Sequence, residues 1–236
     1  MELEMSIKEA SNGLKDRRVT ERKKSAENLK DFLTRNAVPS LLSENTLKKR
    51  GYTWNNLFDD INEYILKEVE KFESSKTYEK VTRPLCSCIL HLCVAGSNKG
   101  KAYISSAKIT EMCLYVLKDN RMVKAIGDSY LDLLLKHFLP YEHYLGNIKP
   151  CTWKELLDVC IGACFSSDYE IDNYTKLRLV LLVMRSGKDN CQFVGPLMES
   201  LPSLEQFFCN ISNEKKVHDV VIEIITLLLE TRVSLD

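Results

Sequence analysis

Apolar residues along the chain recur three and four positions apart, in blocks separated by short polar, glycine or proline breaks. A helix needs that period to bury one face. No block alternates apolar and polar positions with a turn dipeptide at its end, as a half-buried strand pair would. The pattern predicts a long first helix over residues 5–36, stopped at Asn36-Ala37-Val38-Pro39, because a residue before proline is driven out of the helical region. A short helix over 40–47 and a polar turn at 48–51 follow. Thr53 is placed to cap the next helix, whose apolar face is Trp54, Leu57, Phe58, Ile61, Ile65 and Leu66 and which fades near Ser74-Ser75. Further helices are predicted over 78–95, with Pro84 near its start, and over 102–117 after a loop at 96–100. Another runs over 121–139, closed by Pro140, and a connector over 141–150 follows. Thr152 and Glu155 have capping-box spacing at the head of a helix ending near Phe165. Segments 173–185, 192–210 (broken around Pro202) and 214–231 complete about ten helices.

Thr53-Trp54-Asn55-Asn56-Leu57-Phe58-Asp59 and Thr152-Trp153-Lys154-Glu155-Leu156-Leu157-Asp158 share the order Thr-Trp-x-x-Leu-x-Asp. Their separation is near two or more units of a helical repeat of about 40–47 residues. Two independent capped helices with an early aromatic would produce the same echo. Helix pairs joined by short turns bury their faces by stacking, so the expected fold is all-α, a right-handed α-solenoid of HEAT-like helical hairpins spanning residues 1–236. The last helix is apolar nearly all round, from Val217 to Leu229, whereas a terminal repeat carries a polar outer face. The natural protein is therefore expected to continue past Asp236.

One stretch, Leu14 to Ala26, breaks the pattern. On one unbroken helix Leu14, Leu29 and Phe32 share a stripe with Arg18, Glu21 and Ser25. Arg18 and Glu21, three apart, are expected to form an inward polar staple against the next hairpin. Burying an unpartnered charge costs several kcal/mol, so such a pair has a purpose. Arg22 lies at the edge of the stripe and fits either an inner or an outer role. Lys15, Arg17, Lys23 and Lys24 point outward. Lys23 and Lys24 are candidates for a surface contact with DNA phosphate or an acidic peptide, against the plain alternative of a solvated face.

The order Leu14, Arg18, Glu21-Arg22 and then Ala26 resembles the N-terminal motif of the ATM/Tel family of phosphatidylinositol-3-kinase-related serine/threonine protein kinases. The family pattern ends in an aliphatic residue, where this chain has Ala26. The run Thr20 to Lys24, the stretch Tyr52 to Phe58 and Tyr64 to Glu68 continue the resemblance in order and spacing. The resemblance implies a non-catalytic N-terminal arm of a kinase that responds to DNA double-strand breaks and maintains telomeres. It implies docking of regulators, notably the Nbs-type subunit of the Mre11–Rad50 complex, with indirect association with DNA ends. It places the protein in the nucleus, the cytoplasm remaining open. It implies no cofactor in this segment, ATP with Mg or Mn belonging to the full-length kinase. The motif residues Leu14, Arg18, Glu21 and Arg22 would act through folding or through binding.

Composition narrows the classes. Lys plus Arg equals Asp plus Glu, 33 each, so the chain has no overall electrostatic footprint for nucleic acid or anionic membrane. No apolar run reaches the roughly 20 residues that span a bilayer. The acidic, polar start MELEMSIKEA is no signal peptide, and nine cysteines are an odd number, which together favour reduced thiols. The sharpest metal-like cluster, Cys86-Ser87-Cys88 with His91 and Cys93, lies in one apolar helix, so its side chains diverge, and no metal site is expected. The four histidines form no pairing with a cysteine nucleophile. No stretch combines a glycine-rich loop with a catalytic Asp and a metal-binding Asp, so no catalytic residue is assigned. A free-standing helical-repeat adaptor is the alternative reading.

Overall fold

The computed structural model describes residues 7–36, 53–71, 78–95, 97–98, 101–140, 148–169, 171–188, 199, 202 and 215–233. Expectations for 40–47, 48–51, 74–75 and 141–147, and for 192–210 apart from residues 199 and 202, lie outside them. The described residues are all-α, apart from one ladder of two residues per strand. Contacts divide the chain into two units, Met1–Ser105 and Ser106–Asp236.

The first unit corrects the expected opening helix. Two helices stand in its place, α1 (Ile7–Leu14) and α2 (Val19–Asn36), separated by a turn at residues 15–18. Asp16 causes the break: its carboxylate accepts the backbone N–H of Arg18 at 2.7 Å, just where a helix start leaves an N–H without an intrahelical partner. The corner is tight. A Cβ added at Gly13 would stand 2.0 Å from Ser25 Oγ and 3.0 Å from Ser25 Cβ, so a larger residue there would have to displace the Ser25 side chain. α3 (Trp54–Val69) begins as predicted, with Thr53 Oγ1 accepting the Asn56 N–H at 3.1 Å. α4 (Glu79–Ala95) contains Pro84. α1 packs on α2, α2 on α4, and α4 on α3. The core between them includes Leu29, Leu33, Phe58, Ile61, Ile65, Val81, Leu85 and Leu92.

A small ladder follows: β1 (Ser97–Asn98), within the loop predicted at 96–100, pairs antiparallel with β2 (Lys101–Ala102), and the helix predicted from 102 begins only at Ser106. The chain then turns back on α3. Tyr103 stacks on Trp54 with ring centroids 5.7 Å apart, and the Ser105 N–H donates to Asn55 Oδ1 at 3.0 Å.

In the second unit α5 (Ser106–Lys118) packs on α6 and on α7 (Pro150–Phe165). α6 runs over residues 120–138 and has π-type turns at Val123–Gly127 and Leu134–Phe138. α8 (Asn173–Lys188) packs on α7 and on α9 (Lys215–Val233). The capping box predicted at Thr152 does not form. Lys149 takes the cap position without a side-chain bond, Pro150 opens the helix, and Glu155 pairs with Lys118 at 2.5 Å instead. Proline has the helical φ already set and no N–H to leave unsatisfied, so it starts α7 upstream of the threonine. No helix among the described residues is long and apolar enough to cross a membrane.

Candidate functional site

The first-unit corner decides where the charged motif points. Because the helix is broken at 15–18, the buried stripe of α2 is set by α2 alone: Arg22, Ser25, Ala26, Leu29 and Leu33, all buried at helical spacing. The expected inward clasp of Arg18 and Glu21 is therefore wrong. Their side chains are 70% and 42% exposed and stand 4.0 Å apart. Arg18 instead folds onto Asp16 at 3.2 Å, and its guanidinium holds the Asp16 carboxyl below the usual range.

Arg22 is the inward residue. Its side chain is 8% exposed, and that of its partner Glu68, on α3, is 6% exposed. Arg22 Nε donates to Glu68 Oε1 at 2.6 Å and Nη2 to Oε2 at 3.3 Å, a two-pronged, charge-assisted contact. Nη1 donates to the backbone carbonyls of Asp16 and Arg17 at 2.9 and 2.8 Å. Lys71 Nζ donates to Glu68 Oε1 at 2.8 Å and carries the network out to solvent. One guanidinium thus ties α2 to α3 and also closes the α1–α2 corner. Tyr64 adds a second tie, its hydroxyl donating to the Ser11 carbonyl at 3.3 Å.

Outside this staple, α2 and α4 flank an open groove of about 530 Å³. Lys23, Glu27 and Lys30 line one side, and Lys80, Arg83 and Pro84 line the other.

One family matches residues 7–154, and it is described as telomere-length maintenance and DNA damage repair. The chain belongs to this TAN family. The match opens on the first residue of α1 and ends inside α7, so it covers the corner, the staple and the groove, and more than half of the chain. TAN membership carries a role in telomere-length maintenance and DNA damage repair. No curated protein and no solved structure matches the chain.

Within this TAN chain the remaining candidates separate clearly. Leu14 is core, at the end of α1. Lys15, Arg17, Lys23 and Lys24 are exposed, but only Lys23 lines the groove. Cys86, Cys88 and Cys93 are buried, and burial raises the Cys88 thiol and pushes Cys93 up to about 12. Such thiols are poor nucleophiles and poor ligands near neutral pH. Among the described residues no group of three or more His, Cys, Asp or Glu is arranged to hold a metal ion. The residues that the sequence reading missed are Glu68 and Lys71. Glu68 follows Ile65 by three, on the apolar stripe of α3, and a charge at a core position was the available signal.

Proposed function

We propose that the chain is the non-catalytic N-terminal arm of an ATM/Tel-type serine/threonine protein kinase, and that it docks regulators of double-strand-break signalling in the nucleus. The observation that carries this reading is the TAN match over residues 7–154, which contains the motif at Leu14, Arg18, Glu21 and Arg22. Packing of neighbouring helices within each unit supports the finer fold reading, a right-handed solenoid of HEAT-like hairpins. Phosphoryl transfer, with ATP and Mg or Mn, belongs to a domain outside this segment. The partner is the Nbs-type subunit of the Mre11–Rad50 complex, which brings the arm to DNA ends indirectly.

The motif divides into two roles in this reading. Leu14 and Arg22 hold the corner together, and Arg18 and Glu21 present charge on its outer side. The test is capture of the purified Nbs-type subunit by the immobilised chain, comparing wild type with Lys23→Glu/Lys24→Glu. Capture that is lost on charge reversal, with unchanged melting, supports a docking arm. No capture by wild type rejects it. A transcript that runs past Asp236 into a kinase reading frame separates this proposal from a free-standing helical-repeat adaptor.

A further inference from the structure

The groove between α2 and α4 has a charge pattern that the staple does not explain. Its walls carry four cations, Lys23 and Lys30 on α2 and Lys80 and Arg83 on α4. Two carboxylates stand among them, and each is engaged by a neighbour on its own helix. Glu27 lies 3.4 Å from Lys23, and Glu79 lies 3.6 Å from Arg83. These are exposed i,i+4 pairs, which hold weakly and re-pair readily. Lys30 and Lys80 have no ion pair among the described residues. Among the residues that line the groove, cations therefore outnumber carboxylates four to two.

Pro84 adds a second feature. It sits inside α4 and has no N–H, so the Lys80 carbonyl lacks the donor that an ordinary helix supplies four residues on. Lys80 and Pro84 both line the groove, so the break in the α4 hydrogen-bond ladder lies at its wall.

We propose that this groove docks a carboxylate-rich linear segment of a partner protein, bound in extended form. Lys23 and Lys30 are two turns apart, about 10 Å along α2. Carboxylates three residues apart on an extended segment of polyproline II form share one face and have about the same spacing, roughly 9 Å. The segment's carboxylates meet the four cations. Duplex DNA fits less well, because Glu27 and Glu79 interrupt both walls and would face a continuous row of phosphates. The proposal rests on the docking-arm reading and assigns a site to it. It also separates Lys23, which lines the groove, from its neighbour Lys24, which does not.

The test uses the full chain and a fluorescein-labelled Glu-Ser-Gly repeat peptide, read by fluorescence anisotropy at low salt. The expected result is binding of this peptide, no binding of the Gln-Ser-Gly counterpart, and weakening as salt rises. Lys80→Glu/Arg83→Glu should bind about tenfold more weakly or worse. Lys23→Ala should weaken binding by less, and Lys24→Glu should leave it unchanged, all with wild-type melting curves. Equal binding of the Glu and Gln peptides, no binding by wild type, or tighter binding of a DNA duplex overturns the proposal. Peptide binding that fails while the Nbs-type subunit is still captured rejects the groove alone. Peptide binding that holds while capture fails supports the groove and rejects the named partner.

Discussion

Arg22 holds its guanidinium where the interior would otherwise take a leucine, and the energy of that choice depends on Glu68. Two charges removed from water are costly, and their attraction repays the cost only when the geometry is good and the remaining donors are used. Both conditions are met, through the two-pronged contact and the two corner carbonyls. Removing one partner strands the other, so Arg22→Ala or Glu68→Ala should each lose about 3–5 kcal/mol of unfolding free energy. The double variant Arg22→Met/Glu68→Leu should recover much of that loss, because apolar residues of similar volume replace the pair. Urea unfolding of the four chains makes a double-mutant cycle, and a large coupling term is expected. The same cycle on Arg18 and Glu21 should give small, additive effects, as exposed pairs do. The sequence reading turned Arg18 and Glu21 inward, which the structure contradicts, and left Arg22, the buried residue, open between an inner and an outer role. The stripe was drawn from Leu14 through a helix assumed continuous, and the Asp16 turn resets the angular phase before Arg22. The true partner is 46 residues away in sequence, and no local spacing rule reaches it.

Elements were legible wherever the start and stop chemistry was local. α3 and α7 show the contrast, since both carry Thr-Trp-x-x-Leu-x-Asp at their heads. In α3 the threonine caps, and in α7 it lies inside the helix behind Lys149 and Pro150. Thr53→Ala should therefore cost about 1 kcal/mol. Thr152→Ala should be close to neutral, because no cap bond is lost. Thermal melting of the two variants measures the difference, and equal costs would restore the capping box at Thr152. The two tryptophans diverge as well. The Trp153 indole N–H donates to the Val183 carbonyl at 3.1 Å, tying α7 to α8. The Trp54 indole N–H is buried with no hydrogen-bond partner and packs by stacking on Tyr103. Shared letters thus fix a buried aromatic early in each helix, and what lies opposite decides the rest. The π-type turns of α6 had no local signal. Near the first of them Gly127 meets the Tyr169 ring so closely that an added Cβ would stand 3.0 Å from it, a contact made across 42 residues.

At the scale of the whole chain, the telomere and DNA-damage context and the all-α class were legible, because they depend on motif and period, which survive errors of phase. The balance of charge leads to a prediction about acid. With 33 basic and 33 acidic residues, the chain gains net positive charge in acid as its four histidines and then its carboxylates protonate. Three of them resist protonation in the folded state. The Arg18 side chain and backbone N–H hold Asp16 below its ordinary 3.8. Lys67 holds Glu63 below 4.5, and the Thr175 hydroxyl and N–H hold Asp172, at the head of α8, below 3.8. A carboxyl that binds its proton more weakly when folded adds stability above its unfolded value, and that stability disappears as pH falls through the folded value. Asp60 works in the opposite sense. Burial and the nearby Glu63 and Asp59 push it up, so its ionised form costs stability near neutral pH and protonation relieves the cost. The urea midpoint should therefore stay nearly level through the neutral range and then fall once pH drops below about 4.5, the ordinary value of Glu63. Asp16→Asn and Asp172→Asn should lower the neutral-pH midpoint and flatten that acid limb. Asp60→Asn should raise the neutral-pH midpoint and lose its advantage in acid. Parallel acid limbs in all four chains would show that general charge repulsion, rather than these carboxylates, drives the unfolding.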